Sequence, residues 1–180
     1  MEDISLHILD IAENSIGAEA TLITISISED TDKDLFLVEI EDNGRGIPED
    51  MRSNVLDPFC TTRTTRKVGL GLSLLAQAAR ETGGDISVRP ASTSGTIVAA
   101  TFRKSHIDMK PLGNISETLV VLIAGNPHID FLFTYKKNSN AFSLDTREIK
   151  KELDGVPINS SGVLSFLRDY LGASLRDIIN

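Results

Sequence analysis

Asp57–Leu75 reads DPFCTTRTTRKVGLGLSLL, a polar stretch that passes at Gly69-Leu70-Gly71 into an apolar run. From Leu70 to Glu81 the apolar spacing is helical, and Gly83 and Gly84 close it, so a helix is expected to begin directly on the two glycines. The first turn of a helix exposes backbone N–H groups and the positive end of the dipole, which favours anions. Arg63, Arg66 and Lys67 gather positive charge just before that turn, against the acidic sign of the whole chain. The stretch thus reads as a phosphate-covering loop that feeds an anion-binding helix start. A plain solvated loop would have the same composition. Neither G-x-x-x-x-G-K-[ST] nor G-x-G-x-x-G occurs in the chain.

Upstream, residues 3 to 16 carry Ile4, Leu6, Ile8, Leu9, Ile11, Ala12 and Ile16 at helical spacing, with Asp3 as N-cap and Gly17 as terminator. Thr21–Ser28 and Leu35–Ile40 alternate as strands and predict an antiparallel hairpin. Asp42–Pro48 is a glycine-punctuated loop, followed by a short helix around Glu49–Val55. Downstream of the central helix, Asp85–Arg89 and Thr96–Arg103 predict a second strand pair. Helix, two strands, loop, helix and two strands make an α+β fold, a two-layer α/β sandwich with helices on one face of a mostly antiparallel sheet.

Past Arg103 the reading is of a separate, smaller unit. Ser105–Ser116 is the expected linker. Thr118–Ala124 and Ile129–Tyr135 are expected to form a hairpin, and Ala141–Leu144 a third strand. Asp145 with Glu148 predicts a capped helix ending at Gly155, and Val163–Ile179 a last helix that breaks near Gly172. The expected domains are 1–104, a linker at 105–116, and a small α+β extension at 117–180.

The 180 residues hold 18 Lys and Arg against 26 Asp and Glu, a net charge of -8. That charge disfavours nucleic acid and anionic membrane as partners. The longest apolar run, Leu119–Ala124, is far short of the roughly 20 residues of a membrane span. The acidic N-terminus does not resemble a secretory signal, and Cys60 is the single cysteine, so a cytoplasmic location is expected.

Two further segments carry candidate chemistry. In ILDIAENSIGA (8–18), Asp10 and Asn14 share a helical face, with His7 one step back. An Asn amide oxygen suits Mg²⁺, and a carboxylate one turn away can act on a water attacking a phosphate. A simple solvated helix face would show the same residues. In IEDNGRGI (40–47), the carboxylate of Asp42 can accept from an exocyclic amine, while Gly44 and Gly46 allow close backbone approach. An ordinary Asn-Gly turn would also explain it.

Taken in order, ILDIAENSIGA, IEDNGRGI, DPFCTTR with GLGLSLL, and SGTIVAATF (94–102) resemble the N box, first glycine box, F box with second glycine box, and pocket-closing strand of the GHKL ATPases. That family includes sensor histidine kinases, a heat-shock chaperone, type II topoisomerases and mismatch-repair ATPases. The lid and glycine box look most like the histidine-kinase branch, whereas ENSIGAEATLITISI (13–27) looks more like the mismatch-repair branch. The resemblance covers residues 4 to about 104.

It implies a Bergerat fold that binds ATP or ADP with Mg²⁺. By position, Asn14 holds the metal and Asp42 reads the adenine amino group. Gly44 belongs to the base-side loop, Gly46 and Ile47 line the base pocket, and Thr96 supports the base through water. Gly69, Leu70 and Gly71 present N–H groups to the phosphates, with Leu72 in the same box, and Thr61, Thr62 and Arg63 lie in the ATP lid. Asp10 takes the place of the general base, one methylene shorter than the Glu of hydrolysing relatives.

The chain begins in the N-box helix, so no phosphoacceptor helix domain is expected before it. The resulting expectation is a regulatory Mg-ATP-binding protein with slow hydrolysis and lid closure that controls a partner, held through the C-terminal segment; a homodimer is allowed. The alternatives are a protein kinase, acting on a partner Ser or on a His in trans, and a non-hydrolysing nucleotide-binding module. Cys60 reads as a small buried hydrophobe or an oxidation-sensitive thiol.

Overall fold

The computed structural model describes residues 3–52, 55–56 and 70–179. Helix α1 (Ile4–Gly17) starts where the Asp3 carboxylate accepts from the Leu6 N–H at 3.0 Å. It buries Ile4, Ile8, Ile11 and Ala12. Strands β1 (Leu22–Asp30) and β2 (Leu35–Asp42) form the expected antiparallel hairpin, in register from Ile23↔Asp42 to Asp30↔Leu35. Alternation decides the buried face, since Ile23, Ile25 and Ile27 point inward with Phe36, Val38 and Ile40. Helix α2 (Glu49–Arg52) is a single turn. Helix α3 (Leu70–Glu81) has the boundaries read from its apolar spacing. Strands β3 (Ile86–Pro90) and β4 (Thr96–Arg103) pair antiparallel, and β4 pairs with β2.

The C-terminal part departs from the sequence reading. Thr118–Ala124, expected as a strand, lies inside helix α4 (Ile115–Gly125), whose Asn114 cap accepts from the Glu117 N–H at 3.1 Å. Its apolar run packs with α1 and α6 and leaves only Val121 substantially exposed among its large side chains. Strand β5 (Asp130–Lys137) therefore has no hairpin partner in that run. It pairs parallel with β1, from Leu22↔Asp130 to Glu29↔Lys137, and antiparallel with β6 (Asn140–Asp145).

Helix α5 (Thr146–Glu152) is capped by Asp145, which accepts from the Arg147 N–H at 2.9 Å. Helix α6 (Ser161–Ile179) runs unbroken through Gly172, correcting the break expected there. The result is one mixed, mostly antiparallel six-stranded sheet, ordered β3-β4-β2-β1-β5-β6.

Helices cover one face of this sheet, and a continuous core joins β1, β2, β4 and β5 to α1, α3, α4 and α6. Pro111 and Leu112 run beside the start of α1, their carbonyls accepting from the Ile4 and Ser5 N–H groups, both at 2.9 Å. At the far end of the sheet the buried Glu29 carboxylate receives the Tyr135 hydroxyl and the Lys104 ammonium. Burial and that carboxylate push the Tyr135 phenol well above its ordinary range. Neither partner faces the helix ends described next. No described helix is long and apolar enough to cross a membrane.

Candidate functional site

Three elements meet where β2 ends: the C-terminal half of α1, the loop after β2, and the turn between β3 and β4. Asp42, the last residue of β2, is 6% exposed, so its carboxylate must be satisfied within the protein. One oxygen accepts from the Gly44 N–H and the other from the Ser15 hydroxyl, each at 2.9 Å. Asn43 fixes this turn to the start of β1. Its amide oxygen accepts from the N–H groups of Thr21 and Leu22, and its amide nitrogen donates to the Thr21 hydroxyl, all at 2.9 Å. Arg45 closes the other side, donating its N–H to the Ala18 carbonyl and its guanidinium to the Gly17 carbonyl, both at 3.0 Å.

The β3–β4 turn is drawn onto this loop. Gly95 has φ +100, and a Cβ built on it would stand 1.9 Å from the Asp42 carbonyl oxygen. Such an approach is open only to glycine. Gly95→Ala should therefore both strain the backbone and drive β2 and β4 apart, costing about 3 kcal/mol. The expected readout is a lower urea midpoint with an unchanged m-value; an unchanged midpoint would mean that the turn does not rest on Asp42.

Thr96, 8% exposed, lies one step beyond the Glu41↔Ile97 pair and so turns to the same side of the sheet as Asp42. It lines a small recess with Ile47, Val88, Arg89 and Pro90. Gly46, at φ +74, passes the Gly95 carbonyl. The structure thus gathers Asp42, Gly44, Gly46, Ile47 and Thr96 into one region. Asp10, Asn14 and Ser15 rise along α1, and Leu70, Gly71 and Leu72 open α3 beside it. Asn14 is exposed, Asp10 is half-buried, and Gly71 is buried against Asp10. Thr61, Thr62, Arg63 and Gly69, with Cys60, lie outside the described residues.

Two residues of the region were not singled out for these roles in the sequence. Ser15 sits next to Asn14, but its partner Asp42 is 27 positions away and becomes visible only when β2 is placed. His7 is 2% exposed, and its Nδ1 has no hydrogen-bond partner among the described residues. Burial above all, then the charge of the N-terminal amine, lowers its pKa from 6.5, while Asp10 and Asp3 oppose the shift. A buried neutral imidazole means that the unfolded chain takes up the proton first as pH falls. Stability is then expected to decline below about pH 6.5, and His7→Leu should flatten that slope. Melting temperatures between pH 8 and pH 5 test this, and parallel curves for the two proteins would contradict it.

The residues fit the ligands implied by the sequence in a specific way. Asp42 keeps acceptor capacity on both oxygens after accepting from Ser15 and Gly44, as recognition of an exocyclic amine requires. No three His, Cys, Asp or Glu side chains cluster as a metal site among the described residues. One Asn oxygen suits Mg²⁺, which keeps most of its waters and takes other ligands from phosphates.

Comparison with known proteins agrees with this geometry. The family model described as histidine kinase-, DNA gyrase B-, and HSP90-like ATPase matches residues 2–106. The sensory histidine kinase/phosphatase NtrB of Azospirillum brasilense is 50% identical over 51 residues, 28% of this chain and 12% of that kinase. The N-terminal domain of a DNA repair protein matches with a TM-score of 0.60 at 18% identity, over 81% of this chain and 53% of that one. The Aquifex aeolicus MutL ATPase domain, solved with ADP, matches with a TM-score of 0.56 at 15% identity, over 86% of this chain and 68% of that one. The two structural likenesses speak for the fold. The chain spans about an eighth of the kinase and half of the repair-protein domain.

Proposed function

Because the chain belongs to the histidine kinase-, DNA gyrase B- and HSP90-like ATPase family, we propose that it is a regulatory protein that binds Mg-ATP and hydrolyses it slowly. The observation that carries this reading is the Asp42 carboxylate, buried yet acceptor-capable, on the same side of the sheet as Thr96. An acceptor-only group in that place selects an amino-purine over an oxo-purine.

In this reading Asn14 holds Mg²⁺, and the first turn of α3 at Leu70, Gly71 and Leu72 faces the phosphates with its N–H groups. Asp10 takes a proton from water at the terminal phosphate. Mg²⁺ held by Asn14 would supply positive charge to offset that of the phosphates. Thr61, Thr62 and Arg63 form the lid in the sequence reading, with Gly69 presenting its N–H to the phosphates, and lid closure passes the nucleotide state to a partner protein. Residues 117–180 supply the docking surface for that partner, in a cytoplasmic setting. Phe166 and Tyr170 on α6 support this assignment, being stacked at 5.8 Å and exposed by 63% and 43%.

Calorimetric titration with ATP and ADP, with and without Mg²⁺, tests the reading, with phosphate release followed in the same samples. Magnesium-dependent ATP binding with slow release is expected. Binding without release would leave a nucleotide-binding module, and no binding by folded protein would overturn the reading. The 50% identity to a histidine kinase/phosphatase favours one second reading, phosphoryl transfer to a protein. Radiolabel from γ-labelled ATP on a partner, rather than in free phosphate, would select it.

A further inference from the structure

Where α1 crosses the start of α3, the three atoms nearest to a Cβ built on Gly71 all belong to Asp10. They are its Oδ2 at 2.8 Å, with its Cβ and Cγ both at 3.3 Å. A methyl group there would force the carboxylate oxygen at 2.8 Å to move and would crowd the Asp10 Cβ and Cγ at 3.3 Å, so at this crossing the side chain of Asp10 occupies the space that a side chain at 71 would take. The glycine is buried near the start of α3. Its φ is not in the left-handed region, unlike that of Gly46 or Gly95, so backbone conformation does not require glycine here. Contact with Asp10 does. Asp10 itself is half-buried and accepts no hydrogen bond among the described residues, and it packs against the start of α3.

We propose that Gly71 is a positioning residue for hydrolysis: its missing side chain is the seat of the Asp10 carboxylate. The seat holds the short acid of α1 against the first turn of α3, level with the atoms it is to act upon. This rests on the reading of Asp10 as the group that takes the proton from water. An alanine at 71 keeps the backbone N–H, and so the expected phosphate contact, but pushes the carboxylate away.

The test is a double-variant cycle of Gly71→Ala and Asp10→Ala, in the full chain, read by melting temperature, ATP affinity and phosphate release at saturating Mg-ATP. Gly71→Ala alone is expected to lower the melting temperature, and the same change made on Asp10→Ala is expected to lower it less, because the carboxylate is gone and only the Cβ contact at 3.3 Å remains. Displacing the acid by about 1 Å should cut phosphate release by about 10- to 100-fold. ATP affinity should stay within about threefold, well under the 1.4 kcal/mol of a tenfold change.

If Gly71→Ala alone fails to fold while the double variant folds, the seat is supported. An equal loss of melting temperature in both backgrounds would overturn it, because residue 71 would then meet something other than Asp10. Wild-type release from folded Gly71→Ala would overturn it too. Absence of release from the wild type would defeat the hydrolysis reading and with it the positioning role, while the melting cycle would still show whether the two residues share the space.

Discussion

Asp42→Asn is expected to weaken Mg-ATP binding by about 30- to 150-fold, the equivalent of about 2–3 kcal/mol. The variant should keep the fold, because an asparagine satisfies both existing contacts. Its amide oxygen can accept from the Gly44 N–H, and its amide nitrogen can donate to the Ser15 hydroxyl, which is free to reverse its role. What changes is the face offered to a base. The carboxylate offers lone pairs and charge, whereas the amide turned toward Ser15 offers a donor to a purine amine that is itself a donor. A charge-assisted bond is lost and a buried donor is left facing another. Calorimetry should show this with an unchanged melting temperature. Unchanged ATP affinity in the folded variant would remove Asp42 from base recognition.

The parts of the fold that the sequence foretold are those in which one local signal decides. The spacing over Leu70–Glu81 and its closing glycines predict a helix, and the structure has one that ends at Glu81 as expected. Alternation over Leu22–Asp30 and Leu35–Asp42 predicts a hairpin, because residues two apart must share the buried face. The misreading of Thr118–Ala124 has an equally physical cause. A six-residue apolar run such as LVVLIA is compatible with a buried strand or a buried helix, and β-branched valine and isoleucine tilt the choice toward strand. Burial on nearly all sides, between α1 and α6, stabilises the helix instead. The true partner of β5 was hidden because parallel pairing with β1 joins residues more than one hundred positions apart.

The candidate site divides in the same way. Asp42, Gly44 and Gly46 lie within five positions, so their grouping was legible in one loop. The hydroxyl of Ser15 on Asp42 and the carboxylate of Asp10 against Gly71 are contacts between α1 and elements far along the chain. Nothing in the local pattern of α1 marks Ser15 for this task. Both contacts depend on α1 lying across the ends of β2 and α3, which the core residues Ile8, Ile11 and Ala12 decide by burying the face they share with Ser15, leaving Asp10 on the flank.

Asp10→Asn is expected to lower phosphate release by about 100- to 10,000-fold while Mg-ATP still binds, since general base catalysis typically contributes that much. The amide has the shape of the acid, so the contact with Gly71 survives and α1 stays seated on α3. It has no usable basicity, so a water held beside the terminal phosphate loses its proton acceptor. Asp10 is well placed for that task in one respect that a solvated helix face does not share. It is packed against α3 and, among the described residues, accepts no hydrogen bond. Asn14 stands one turn further along the same face, which puts the proposed metal ligand and the proposed base on the same side of the phosphates. Phosphate release and ATP affinity measured together decide the matter. A large drop in release with affinity kept assigns the proton transfer to Asp10. Equal release from the two proteins would mean that another acceptor serves the water, and a parallel loss of affinity would make Asp10 a binding residue rather than a base.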